Sequence, residues 1–365
     1  MDNNSNNRDN KTNGINGNRW SYFDRTDARQ FILVMYVVSL AVLLQFFIFE
    51  FLPGIIYKFM YNFVVLYTDI PNSDFVYSYP ADEINYIFSN ILIIIISVLA
   101  SLITGAFIIF FLRRLVGKSE NYDRDRISWK FKMPKNAAAL IAIGLCLVQI
   151  SMYLYSVFNG MLESLFNIAP NPAFTEDAYF PQSVFGIILY FVTIVLTPAF
   201  TEEFLFRYLM LNSLKKYGNA FAIVVTAIFF GFAHARTSAF IYATAIGLFT
   251  AYFAIKTKSI WFSVILHAVV NATSFALQYL ASLSFFKDAT LDLIYFAFLT
   301  VISAISCIYL IILLIRHKET SLDESRNYIN IRNKHKLIYF FNAATVIFFI
   351  LVIMKSAEEY VFLYV

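Results

Sequence analysis

The chain has 365 residues, of which 59% are hydrophobic, 19% are aromatic and only 14% are charged. These proportions exclude an ordinary soluble globular protein, in which about a quarter of the residues carry a charge. The formal net charge is +4, and the basic residues lie mainly in short connections between apolar segments, which is typical of membrane topology. We therefore expect the lipid bilayer as a partner and no nucleic-acid partner.

A polar tail opens the chain. Residues 1–30 include eight asparagines within the first twenty positions and lack an apolar run, so we predict a disordered cytoplasmic segment. Apolar runs of membrane-spanning length then recur. The predicted spans are 31–52, 87–112, 137–158, 184–212, 219–237, 239–255, 259–282, 289–315 and 337–354.

This pattern predicts an all-α protein, a polytopic transmembrane helical bundle of about eight or nine spans with a polar site between its central helices. It also divides the chain into four regions. They are the Asn-rich tail 1–30, amino-terminal transmembrane helices 31–182, a catalytic core 183–282 and carboxy-terminal transmembrane helices 283–365.

The lysines and arginines indicate the orientation of the bundle. Of 28 in all, 23 lie in the tail or in alternate connections, namely 113–136, 215–216, 256–258 and 316–336. The intervening connections hold only four. Because basic loops stay on the cytoplasmic side, we predict a multi-pass protein of the cell membrane with a cytoplasmic amino terminus.

Three charges interrupt the fourth span, in the stretch TEEFLFRYLM at 201–210. Glu203 and Arg207 are spaced i, i+4, which places them on one helix face and favours an ion pair. Glu202 points about 100° round the helix and remains as a candidate general base. Pro198 is predicted to bend the helix nearby and to open a cleft to water.

Later spans add two histidines and an amide. A single His or Asn in a transmembrane helix commonly serves only to bond helices together. Measured from the cytoplasmic turns at 1.5 Å per residue, however, Glu202, His234 and Asn271 lie at roughly 20 to 22 Å, and His267 at roughly 14 Å. We therefore expect the four to meet in one polar pocket.

Such a pocket suits a hydrolase that activates water. A glutamate takes a proton from the water, a histidine positions the water or holds a metal, and amide and imidazole donors stabilise the oxyanion. The zinc motif HExxH is absent from the sequence. Glu202, His234 and His267 could still hold a divalent metal such as zinc, and the sequence leaves that alternative open.

Three short motifs follow one another on these spans. They are EEFLFR at 202–207, FGFAH at 230–234 and HAVVN at 267–271, which have the forms EExxxR, FxxxH and HxxxN. With them the chain resembles, over 184–276, the CAAX protease and bacteriocin-processing family of intramembrane endopeptidases, whose type II CAAX prenyl endopeptidases carry the same motifs.

The resemblance implies a catalytic set and a supporting set. The catalytic residues would be Glu202, His234, His267 and Asn271. Glu202 would activate the water, His234 would share it, and His267 with Asn271 would form the oxyanion site. The supporting residues would be Glu203, Arg207 and Phe230, with Phe230 packed one turn below His234.

Two points of the resemblance bear on the substrate. Tyr208 stands where many relatives have glycine, and its bulky phenol could narrow the cleft or alter which substrates enter. Some relatives remove the last three residues of prenylated CAAX proteins, whereas many bacterial ones are linked to bacteriocin maturation, immunity or peptide signals. The bias of this chain towards Ile, Asn, Phe and Lys is typical of AT-rich bacterial genomes and favours a membrane-associated bacteriocin-type or signalling peptide.

The alternative to a protease is a membrane protein with no catalytic activity. A membrane immunity protein that binds a peptide toxin could retain the same residues without cleaving anything. A transporter fits less well, because the charges cluster in one central block, whereas transporters commonly repeat their polar helices in both halves. The sequence thus favours an intramembrane protease over a binding protein.

Overall fold

The structure is a computed structural model that describes residues 25–68, 83–116, 126–171, 180–283 and 331–362, together with isolated positions from 294 to 312 and Ile329. The predicted tail up to residue 24 and most of the predicted span 289–315 lie outside these residues. The architecture is helical, as the apolar pattern predicts. Its only strands among the described residues are two of three residues each.

We number the helices with defined bounds in chain order. They are α1 Arg25–Thr68, α2 Glu83–Val116, α3 Ala137–Phe166, α4 Val184–Tyr217, α5 Asn219–Ala233, α6 Thr237–Thr257, α7 Trp261–Ser282, α8 Asn333–Phe340 and α9 Ala343–Ala357. Strand β1, Ile168–Pro170, pairs antiparallel with β2, Tyr360–Phe362. Helix α1 begins at Arg25, so the predicted tail boundary at residue 30 is too late.

Six of these helices contain a segment long and apolar enough to cross a membrane. The segments are Asp27–Ile56, Tyr86–Arg114, Ala137–Phe166, Val184–Tyr217, Thr237–Thr257 and Trp261–Ser282. Helices α8 and α9 add a seventh if the pair, bent by 56°, is one broken span. The described residues therefore form a multi-pass bundle with six or seven candidate spans, and most of the predicted span 289–315 lies outside them.

Two of the predicted spans, 219–237 and 337–354, differ from the structure in local features. Helix α5 has only 15 residues, which at 1.5 Å per residue gives roughly 22 Å, short of the hydrocarbon core of about 30 Å. The break between α8 and α9 falls at Asn342, whose extended backbone lets its side-chain oxygen accept a hydrogen bond from the Thr345 N–H. An N-cap of this kind starts a new helix and ends the old one.

Packing follows the apolar surfaces of the helices. The buried core is built mainly from α1 and α4 to α6, with residues of α9 against it. Large apolar side chains of α2 and α3 remain exposed, among them Leu102, Phe110, Leu154 and Val157. Exposed apolar surface of this extent is expected where a helix faces lipid.

Helix α4 contains two π-helical stretches, Val192–Leu196 and Phe204–Leu211. They flank the α-helical stretch Thr197–Glu203, which contains Pro198 near its start. A proline has no N–H, so its turn cannot complete the usual hydrogen bonds, and the adjacent wider turn accommodates the loss without interrupting the helix. Such turns occur frequently at functional sites.

The connections that were predicted to be cytoplasmic meet at one end of the bundle. The Ser128 N–H donates to the Lys258 carbonyl at 3.1 Å, and the Ile329 N–H donates to the Lys216 carbonyl at 2.9 Å. We refer to this end as the basic end. The opposite end holds β1, β2 and the turn 234–236 between α5 and α6.

Candidate active site

A fully buried charged cluster joins α4 to α7. Arg207 Nε lies 3.0 Å from Glu203 Oε2, and both side chains are 0% exposed. The other oxygen, Oε1, lies 3.2 Å from His267 Nδ1. Since a carboxylate oxygen only accepts, Nδ1 carries the proton and the ring turns Nε2 away from Glu203.

The predicted spacing of Glu203 and Arg207 thus gives an ion pair, although the Nε–H is not aligned for a hydrogen bond. The two remaining guanidinium nitrogens make no hydrogen bond to any described residue. The Arg207 guanidinium instead lies over the Phe230 ring, 4.8 Å from its centroid. Cation–π contact supplies part of the solvation that the buried charge has lost.

The Phe230 ring contacts both histidines. It meets His234 edge to face at 5.1 Å and His267 at 5.7 Å between centroids. It also packs against Phe206 of α4 at 5.2 Å. Phe230 therefore fixes the spacing of three helices around the cluster, a wider role than the packing beneath His234 that the sequence suggested.

Beside the buried cluster lies a more open pair. Glu202 Oε2 is 3.9 Å from His234 Nε2, and the side chains are 26% and 22% exposed. His234 Nδ1 lies 2.8 Å from the Phe230 carbonyl, which can only accept, so Nδ1 is protonated and Nε2 offers a lone pair. Glu202 Oε2 makes no hydrogen bond to any residue that the structure describes.

The turn that carries His234 is short and constrained. His234 ends α5, and Ala235 has φ of 50°, a left-handed conformation that non-glycine residues seldom adopt. Gly231, one turn earlier, lies so close to α6 that a Cβ there would collide with Thr244 Oγ1. The close contact of α5 with α6 and the strained turn together set the direction of the His234 ring.

A carboxylate from the carboxy-terminal segment fastens this turn. Arg236 Nε donates to Glu359 Oε1 at 2.9 Å, and the Thr237 N–H donates to Oε2 at 2.9 Å. A carboxylate at a helix N-terminus is favoured by the free N–H groups and by the helix dipole. The Asn171 N–H donates to the Glu359 carbonyl at 2.7 Å, next to the β1–β2 pair, so Glu359 links three parts of the chain.

Sequence reasoning missed three of these features. The contact of His267 with Glu203 depends on how the two helices are rotated, which motif spacing does not define. Glu359 lies 123 residues from Arg236 and had no sequence signal. Tyr242 of α6, with its ring 6.3 Å from His234, follows an apolar pattern like its neighbours.

The structure also places two other residues that the sequence singled out, Asn271 and Tyr208. Asn271 lies one turn beyond His267 on α7 and is half-buried, as a donor near the pocket would be. Tyr208 does not narrow the Glu202–His234 cleft. Its ring stacks on Phe204 at 5.8 Å and lies under the Arg126 guanidinium, so it faces the basic end instead.

A cavity of about 520 Å³ lies on the far side of the turn. Its lining is mostly apolar and comes from α3, α5, α6, α9 and β2, including Phe158, Phe232, Phe240 and Ile353. Glu202 and His234 are not part of its wall. This cavity is therefore separate from the polar cleft at Glu202 and His234, where the candidate reactive groups lie.

The candidate metal ligands Glu202, His234 and His267 do not form a metal site. His267 Nδ1 is bonded to Glu203, and the rings of His267 and His234 both contact Phe230. Throughout the described part of the chain, no three His, Cys, Asp or Glu side chains are arranged to hold a metal ion.

Comparison with known families adds an independent observation. Residues 184–273 match the family model described as type II CAAX prenyl endopeptidase Rce1-like. The chain carries an Rce1-like domain. No curated protein and no solved structure matches the chain.

The Rce1-like domain begins at the first residue of α4 and ends within α7. It contains both carboxylates, Arg207, both histidines and Asn271, so the family match and the polar cluster coincide. The matched residues are thus similar to a family of CAAX-type intramembrane endopeptidases. Glu359 lies outside the match and belongs to the remainder of this chain.

Proposed function

We propose that the Rce1-like domain hydrolyses a peptide bond in a membrane-associated peptide or protein, with Glu202 as the base that activates water. The observation that supports this most is the Glu202–His234 pair, with two lone-pair acceptors 3.9 Å apart in a partly exposed cleft. A water molecule has two O–H donors and can satisfy both acceptors at about 2.8 Å each from one side of the pair.

The chemistry follows from that placement. With its hydrogens directed at Glu202 Oε2 and His234 Nε2, the water presents a lone pair to the scissile carbonyl carbon. Glu202 takes a proton as the new C–O bond forms, and it then delivers that proton to the leaving amide nitrogen as the C–N bond breaks. The products are a carboxylic acid, which retains the second proton of the water until it ionises, and an amine, and Glu202 is regenerated.

The oxyanion has two candidate donors on α7. The Asn271 amide can donate directly, whereas His267 can donate only from Nε2, because Nδ1 faces Glu203. That donation requires the imidazolium form, and the Glu203 carboxylate beside the ring stabilises such a cation. Glu203 and Arg207 would thus orient the oxyanion site without touching the substrate.

The substrate and location belong to the same proposal. An apolar bundle with its cleft between α4 and α5 suits a substrate held in or against the bilayer, and a bacteriocin-type or signalling peptide is our leading choice. The clustering of lysines and arginines at the basic end supports a cytoplasmic amino terminus in the cell membrane. A prenylated CAAX protein is the substrate choice that the family offers as an alternative.

A single substitution tests the proposal. Glu202→Gln keeps the shape of the side chain and removes the base, and we expect at least about a hundredfold slower cleavage of a membrane peptide library by purified protein in liposomes. Glu358→Gln is the matched control, because Glu358 is an exposed carboxylate of the carboxy-terminal segment. Product masses would give the cleavage site.

Two results would contradict the proposal. The first is equal cleavage by the wild type and Glu202→Gln. The second is no cleavage by the wild type across a broad library, combined with equal protection of cells from a peptide toxin by both proteins. That second result would favour the non-catalytic immunity protein.

A further inference from the structure

A surface of mixed basic and aromatic residues covers part of the basic end. It consists of residues 126–135, which precede α3, and residues 256–261, which connect α6 to α7. We refer to it as the basic-aromatic platform. None of its residues takes part in the proposed hydrolysis.

Hydrogen bonds hold the two segments in one fixed arrangement. Ser128 and Ser259 form a parallel β-bridge, and the Ser259 hydroxyl donates to the Lys130 carbonyl at 2.8 Å. The Trp261 indole N–H donates to the Trp129 carbonyl at 2.7 Å. The platform therefore keeps its shape without a ligand, and ordering it on binding would cost little.

The side chain of Asn212 fixes the platform to the catalytic helix. Its oxygen accepts from the Ile127 N–H at 2.9 Å, and its nitrogen donates to the Ile127 carbonyl at 3.0 Å. Trp129 also packs on Tyr208 and Phe204 of α4, with ring centroids 5.8 and 6.2 Å apart. The platform and the site thus share one rigid helix.

The charges on the platform have one sign. Six basic residues are exposed, and the two segments contain no Asp or Glu. They are Arg126, Lys130, Lys132, Lys135, Lys256 and Lys258. Arg126 and Lys256 also lie over the rings of Tyr208 and Tyr252.

Large aromatic side chains stand between these lysines. Trp129 is 41% exposed and Phe131 is 69% exposed, and Trp261 contacts both rings. Exposed Trp and Phe beside lysines, next to the first residues of apolar helices, are typical of the level where lipid headgroups meet hydrocarbon. An acidic soluble peptide would match the charges but would leave the exposed phenyl and indole surfaces without an apolar partner.

We propose that the basic-aromatic platform is a binding surface for anionic phospholipid headgroups in the leaflet at the basic end. The lysines would contact the phosphates while Trp129 and Phe131 insert beside the glycerol region. Because the platform is bonded to α4, bound anionic lipid would lie against the helix that carries Glu202. This proposal is independent of proteolysis.

The sequence permits a local test, since the chain has only three tryptophans, Trp20, Trp129 and Trp261. Trp20→Phe leaves the two platform indoles as the reporters. The protein is reconstituted in phosphatidylcholine vesicles that contain an equal small fraction of either brominated phosphatidylglycerol or brominated phosphatidylcholine. We expect stronger quenching of tryptophan fluorescence by the anionic lipid, and we expect salt to reduce the difference.

Paired substitutions separate the platform from general surface charge. Lys130→Gln with Lys132→Gln should lower the preference for anionic lipid, on the order of fivefold for each lysine removed. Arg332→Gln with Lys334→Gln removes the same charge from exposed residues at the start of α8, which belongs to another predicted cytoplasmic connection, and should leave the preference unchanged. Quenching by brominated phosphatidylcholine checks that each variant still places its tryptophans at the bilayer.

Three outcomes would overturn the proposal. One is equal quenching of the Trp20→Phe protein by both lipids. Another is an equal loss of preference in the two double variants, which would mean that only total charge matters. The third is a shift in tryptophan emission with a soluble acidic peptide but not with phosphatidylglycerol, which would make the platform a peptide site.

Discussion

Glu202 and Glu203 are neighbours in the chain, yet they differ in burial and in the groups that they contact. Glu203 is fully buried and contacts a cation and an imidazole N–H. Glu202 is partly exposed, and its Oε2 lies 3.9 Å from His234 Nε2 and makes no hydrogen bond to the residues that the structure describes. One carboxylate is already neutralised by its partners and so contributes structure, whereas the other keeps the capacity to accept a proton.

The largest expected effect is on stability and concerns the buried carboxylate, Glu203. Glu203→Gln leaves the Arg207 guanidinium buried without its counter-ion, which should lower the free energy of unfolding by about 3 to 5 kcal/mol. The double change Glu203→Gln with Arg207→Met removes both charges and should recover much of that loss. Reversible unfolding in mixed micelles measures both, and an unchanged unfolding midpoint for Glu203→Gln would show that the pair contributes no stability.

The partly exposed Glu202–His234 pair should respond in the opposite way, with a loss of activity and little change in stability. His234→Gln removes the lone pair that shares the water, and we expect kcat to fall at least about a hundredfold. The free energy of unfolding should change by no more than about 0.5 kcal/mol, because the ring is partly exposed. His335→Gln at the basic end is the matched control, and a His234 variant that loses stability as severely as Glu203→Gln would erase the distinction.

The same contrast shows how far the sequence can predict this molecule. The i, i+4 spacing is sufficient for the Glu203–Arg207 pair, and apolar run lengths are sufficient for a helical membrane bundle. Helix depth also anticipated that α4, α5 and α7 bring their polar groups together. The rotation that turns His267 towards Glu203 depends on side-chain packing around Phe230, which no periodicity encodes.

Two of the predicted spans differ from the structure for reasons that are equally local. The apolar run 219–237 reads as one span, but the chain turns at Ala235 with positive φ, a conformation that alanine does not signal. Asn342 ends one helix and caps the next inside another apolar run. The contact between Arg236 and Glu359 is long-range, so it appears only when the carboxy-terminal segment returns to the turn.

We expect an intermediate effect at the Arg236–Glu359 contact. Its measurement tests whether this contact positions His234. Glu359→Gln removes the carboxylate that caps α6, a change of about 1 kcal/mol, and should speed hydrogen exchange at the Thr237 amide. If the turn positions His234, kcat should fall by about fivefold while KM stays the same. A structural role alone would change exchange and stability but not kcat.

Glu358→Gln is the control for this prediction. Glu358 is adjacent but exposed, and its carboxylate lies 3.1 Å from Lys355 rather than at the turn. We expect both amide exchange and kcat to match the wild type. The exchange measurement remains informative if no substrate is found. Equal protection of the Thr237 amide in both variants would refute the role of the Glu359 carboxylate in holding this turn.

The smallest expected effect concerns metal removal. His267 Nδ1 is bonded to Glu203, and no three His, Cys, Asp or Glu side chains in the described part of the chain are arranged to hold a metal ion. We expect activity to survive dialysis against a chelator unchanged, and added zinc to give no increase. Loss of activity on chelation with recovery by zinc would contradict this prediction. It would place a metal ion on Glu202, His234 and His267 Nε2, with Glu203 orienting the His267 ring through Nδ1, and Glu203→Gln should then weaken zinc binding.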